Sequence, residues 1–102
     1  MKGIQRHEQW VAKLEKDLLH RNEYDLVGTH LHYFDGRKEL GEIDIYGVDM
    51  EERRMDIYEV KCSTAHQERA RAQLKRAKSF FSPHFDMISI YAYLNGELKE
   101  VH

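Results

Sequence analysis

Two strand-like segments, Arg54–Cys62 and Met87–Leu94, bracket a single helix whose two ends are marked in the sequence. Ser63 and Thr64 stop the first strand. Thr64-Ala65-His66-Gln67 has the form of a capping box, in which a hydroxyl and a glutamine side chain satisfy free backbone donors. Ala70, Leu74, Ala77 and Phe81 make the apolar stripe of the helix, and Pro83 prevents its continuation. A chain organised in this way is expected to fold as an α/β domain.

The rest of the chain extends that order. Trp10, Val11, Leu14 and Leu18 fall at helical spacing with charged residues between them, which predicts an amphipathic helix over Ile4–His20. Tyr24–Phe34 reads as a strand, and Asp35-Gly36 as the turn that ends it. Glu42–Val48 alternates, which would put Ile43 and Ile45 on one face and Glu42, Asp44 and Tyr46 on the other. Asn95-Gly96 is a type I′ turn signal leading into a last hairpin strand, Glu97–Val101. The expected order is αβββαβ plus that edge strand, built as a central mixed sheet flanked by helices, in one domain spanning residues 1–102. Tyr91 and Tyr93 share a face opposite Ile88, Ile90 and Ala92, and would mark a subunit contact if that face lay outside. A homodimer would supplement the modest core of a domain of 102 residues.

Charge and cysteine usage narrow the setting. The lone cysteine, Cys62, leaves no intrachain disulfide and fits a reducing, cytoplasmic compartment. No apolar run approaches the roughly 18 residues that would span a membrane, and the first residues lack the apolar core of a signal peptide. A net charge of −2 is not that of a bulk polyanion binder. Yet Arg69, Arg71, Lys75, Arg76 and Lys78 face a single acid, Glu68, between Thr64 and Phe81. A basic helix on an acidic body suits a localised polyanion contact; the plainer alternative is a solvated helix face.

The chemistry centres on Glu59-Val60-Lys61. Residues two apart in a strand point the same way, so Glu59 and Lys61 project together while Val60 points into the opposite layer. The carboxylate offers a hard oxygen ligand to Mg2+ or Mn2+. The lysine can orient or deprotonate a water, or offset charge on a phosphoryl group. If the Glu42–Val48 strand pairs with this one, Asp44 reaches the same ion, and the backbone carbonyl of Val60 completes a set of oxygen donors. Seven histidines raise zinc as an alternative, through Cys62 with His66 or His30 with His32. None has the paired-cysteine spacing of a structural zinc site, and zinc is not expected.

Gly41-Glu42-Ile43-Asp44 before an apolar strand, followed by Asp56-Ile57-Tyr58-Glu59-Val60-Lys61, resembles the PD-(D/E)XK nuclease superfamily, with its restriction-endonuclease-like fold. The likeness is greatest to small members that include the archaeal Holliday-junction resolvases. Ile43 stands where the motif's proline would be. The resemblance implies a Mg2+- or Mn2+-dependent endonuclease acting on branched or structured DNA in repair or recombination. It implies catalytic roles for Asp44, Glu59 and Lys61, with Asp44, Glu59 and the Val60 carbonyl as metal ligands. It adds Glu8, on the first helix, as a further acid of the site, and Gln73, after Glu-x-Lys, as a residue ordering water or touching phosphate. Arg69, Arg71, Lys75 and Arg76 are the expected grips on the DNA backbone. The alternatives are a junction resolvase proper and a non-catalytic nucleic-acid- or protein-binding module on the same fold.

Overall fold

Arg54–Lys61 (β3) and Met87–Leu94 (β4) satisfy their apolar alternation by lying side by side in parallel, from Arg54↔Met87 to Lys61↔Leu94. Parallel neighbours need a crossover of a dozen or more residues. Gln67–Phe81 (α2) supplies it. In this computed structural model, which describes the backbone of residues 2–102 and the side chains of residues 6–102, Lys2–Arg21 forms a first helix (α1). Leu26–Asp35 (β1), Lys38–Asp49 (β2) and Glu97–Val101 (β5) add antiparallel strands. The result is a five-stranded mixed sheet in the order β1-β2-β3-β4-β5, with one long helix on each face. The αβββαβ order with a final hairpin strand is as expected from the sequence.

Each face has its own apolar layer. Against α1, Val11, Leu14 and Leu18 meet Ile45, Tyr58, Val60 and Tyr93. Against α2, Leu74 and Ala77 meet Ile57, Ile88, Ile90, Ala92 and Leu94. A fully buried side chain of this kind contributes about 1.5–3 kcal/mol relative to exposure, so the two stripes hold the helices in place. The face carrying Tyr91 and Tyr93 is thus interior rather than a subunit contact. Tyr91 stacks on Tyr58 with ring centroids 5.0 Å apart, and Trp10 meets Tyr93 edge-on.

Two local expectations are corrected. The Thr64–Gln67 capping box does not form: the Ser63 hydroxyl accepts the Ala65 N–H and caps a short 3-10 turn, Thr64–His66, that leads into α2. A hydroxyl one residue earlier wins because the strand ends at Lys61, leaving room for an extra turn. The second correction is larger. Ile43 and Ile45 do not share a face: Ile43 lies in the α2 layer and Ile45 in the α1 layer. The β1–β2 ladder runs from Thr29↔Ile45 to Leu31↔Ile43, skipping His30 and Asp44, and His30 adopts φ +54°. Val27 packs towards α1 and Leu31 towards α2, so both strands switch faces at this level. The hairpin beyond it turns over α2, where Tyr33 packs on Phe80 and Phe81.

Candidate metal centre

The face switch produces the site. β2 pairs with β3 only from Ile45↔Tyr58 to Asp49↔Arg54. Past Ile45 it diverges, and the β2 side of Glu59, Val60 and Lys61 is left without a strand. A buried backbone N–H without a partner costs about 1–3 kcal/mol. Asp44 answers this at Val60, whose N–H donates to Asp44 Oδ2 at 2.9 Å. The aspartate side chain therefore stands in for the ladder bond that its own strand has vacated.

That bond brings two carboxyl groups together in the interior. Asp44 is 6% exposed and Glu59 4%. Burial, and then the neighbouring Asp44 carboxylate, push the Glu59 carboxyl well above the usual range; Lys61, with Nζ 3.6 Å from Glu59 Oε1, pulls the other way. Glu59 and Lys61 do project together, as the strand period requires, and Val60 lies in the α1 layer. A divalent cation held between them would let both carboxylates be charged at once.

His7 reaches the same oxygens from α1. Its Nε2 lies 3.1 Å from the Val60 carbonyl oxygen and 3.3 Å from Asp44 Oδ2. Both partners accept, so Nε2 carries the hydrogen and donates to the two oxygens together. These are two of the three oxygens expected to hold a metal. Buried carboxylates and a backbone carbonyl, with an N–H inserted among them, are a donor set that fits Mg2+ or Mn2+. His7 was not foreseen, although the signal was present: His7, Val11, Leu14 and Leu18 follow the spacing of a single helix stripe, facing the sheet.

The other expected residues are placed unevenly. Glu8 makes no hydrogen bond to Asp44 or Glu59; its carboxylate reaches His7 Nδ1 at 3.4 Å and His30 Nε2 at 3.2 Å, and its side chain is half exposed. Gln73 lies on α2 with a buried Oε1 that has no hydrogen-bond partner among the described residues. Arg69, Arg71, Lys75 and Arg76 are exposed along α2. Two of them are tied to the protein, Arg71 to the His102 carbonyl and Arg76 to the Leu40 carbonyl. Cys62 is partly buried with a free thiol, and His66 is exposed in the 3-10 turn.

At the rim, imidazoles and carboxylates alternate. His30 Nδ1 meets Glu42 Oε1 at 2.9 Å, His32 Nε2 lies 3.7 Å from Glu42 Oε2, and His32 Nδ1 meets Glu39. The hydrogen bond to Glu42 raises the His30 pKa and that to Glu39 raises that of His32, in both cases against desolvation. Towards the start of β3, a separate buried group joins Tyr24, Asp56 and Tyr58. The Tyr24 hydroxyl donates to Asp56 at 2.5 Å and lies 2.6 Å from that of Tyr58. Burial pushes the Asp56 carboxyl up and the Tyr58 hydroxyl up to about 12.

Comparison of the chain with known protein families, with characterised proteins and with solved structures finds no match.

Proposed function

We propose that this protein is a metal-dependent endonuclease that hydrolyses phosphodiester bonds in DNA, on a site of the PD-(D/E)XK type. The observation that carries this reading is the convergence of Asp44, Glu59 and the Val60 carbonyl beside Lys61, where β2 diverges from β3. Mg2+ or Mn2+ bound there supplies Lewis-acid polarisation of the phosphate and a more acidic water. Asp44 and Glu59 bind the ion, and Val60 adds its carbonyl. Lys61, held beside Glu59, orients the attacking water and offsets negative charge growing on the phosphoryl oxygens. The scaffold is rigid here: Val60 is fully buried on the central strand, and Asp44 is fixed by the Val60 N–H. The exposed cations of α2, above all Arg69 and Lys75, hold the DNA backbone without reading its sequence. A homodimer would present two such sites to two strands.

The test is cleavage of linear, single-stranded, flapped and four-way-junction DNA in Mg2+ or Mn2+. Glu59→Ala and Lys61→Ala are each expected to lose about 10²–10⁴-fold in rate. A wild type that cuts none of these substrates, or variants that cut as well as wild type, would overturn the assignment. DNA binding without cleavage would point instead to a binding module.

A further inference from the structure

The geometry points to a second cation position at the face switch, formed by His30, Glu42 and Asp44 and selective for a first-row transition ion over Mg2+. It deepens the proposed function and rests on Asp44 as a metal ligand. One ligand atom from each of the three residues lies within 4.8 Å of the other two. Ligands held about 2.1 Å from one ion span about 3–4.2 Å, so a small inward movement of exposed side chains closes the shell. His30 and Glu42 are both exposed and held only by hydrogen bonds and ion pairs at the rim, which leaves them able to make that movement, while Asp44 is buried and fixed.

The donor chemistry differs from that of the first position. Asp44, Glu59 and the Val60 carbonyl offer only oxygen, the preference of Mg2+. An imidazole with two carboxylates suits Mn2+, Fe2+ or Zn2+ better, because a nitrogen donor gains more from ions later in the transition series. The charge balance favours an ion as well. Around the buried Asp44, Glu39 and Glu42 meet only His30 and His32 among the described residues, and Glu8 meets His30 and His7. Glu8, on the far side of His30, is the hydrogen-bond partner that fixes a liganding ring's orientation. His30 belongs to β1, Glu42 and Asp44 to β2, and both strands turn here. An ion would therefore clamp the two strands at the point where they leave the sheet, with Asp44 shared between the two positions.

The experiment is Mn2+ titration of the intact chain, with pulsed electron paramagnetic resonance to detect a directly bound imidazole nitrogen. His30→Asn is the main variant, since asparagine tolerates positive φ and keeps the backbone as it is. Wild type is expected to show nitrogen coupling at full Mn2+ loading. His30→Asn should lose that coupling and weaken one Mn2+ equivalent by at least about tenfold, leaving Mg2+ affinity little changed. Glu59→Gln should keep the coupling, which also separates His30 from the neighbouring His7. A wild type without nitrogen coupling, or coupling that persists in His30→Asn, overturns the proposal. DNA cleavage measured on the same samples reports on the nuclease assignment alone, because coupling lost in His30→Asn supports this site whether or not DNA is cut.

Discussion

Asp44 has one observed duty and one proposed, with different requirements. As the partner of the Val60 N–H it needs an oxygen acceptor; as a metal ligand it needs a negative charge. The duties separate by substitution. Asp44→Asn keeps an acceptor for Val60 and should stay within reach of wild-type stability, whereas Asp44→Ala leaves the N–H unpaired. Chemical denaturation without metal should find the alanine variant about 1–3 kcal/mol less stable than the asparagine variant. Calorimetry should find Mg2+ or Mn2+ binding at the first position lost in both. Equal stabilities would mean that Val60 finds water instead, and undiminished metal affinity would remove Asp44 from the ligand set. His7 makes the complementary point: its Nε2 lies against the oxygens a cation would take, so an ion bound there would either displace the ring or take its nitrogen as a further ligand.

At the level of elements, the turn between β4 and β5 is fixed by α1 as much as by its own backbone. Asn95 and Gly96 both have positive φ, as a type I′ turn requires. A Cβ on Gly96 would lie 2.8 Å from the Trp10 ring, which also meets Tyr93 edge-on at 5.8 Å. Gly96→Ala is therefore expected to cost more than about 1 kcal/mol, read as a lower midpoint in thermal denaturation. This turn was legible in the sequence, as were the α1 stripe, the α2 stripe and the strand–helix–strand order, because each is encoded by neighbours a few positions apart. Glu59 and Lys61 were legible for the same reason. The face switch was not. Alternation in Glu42–Val48 continues without a break in the sequence, and only tertiary packing shows that Ile43 and Ile45 serve different layers. The same blindness affected α1. Glu8 was expected towards the site as an acid at a familiar place, but the helix phase that buries Val11, Leu14 and Leu18 turns His7 inward and leaves Glu8 at the rim.

For the molecule as a whole, burial and hydrogen bonding displace two carboxyl groups and two imidazoles in the same direction. Glu59 and Asp56 sit above their ordinary values of 4.5 and 3.8, and His30 and His32 above 6.5. In each case the folded chain holds a proton that the unfolded chain has already released. The stability tied to these groups is present at low pH and is lost as pH rises, from about the unfolded carboxyl values upward for the acids and above about 6.5 for the histidines. Metal-free protein should thus melt at progressively lower temperature from about pH 5 to about pH 8. Saturating Mg2+ should flatten that decline, since it stabilises the ionised carboxylates, and Glu59→Gln should flatten it without metal. A melting temperature that rises across this range would show that other groups dominate.

The divergence of β2 from β3 also divides the molecule in time. Beyond Asp44 the hairpin's amides are bonded within the hairpin alone, while β3 lies between two strands along much of its length. Hydrogen–deuterium exchange should therefore run through local opening for Leu31–Ile43 and only through global unfolding for Ile57 and Ile90. A cation held at the divergence would lengthen the hairpin's exchange lifetimes and leave those of the central strands nearly untouched.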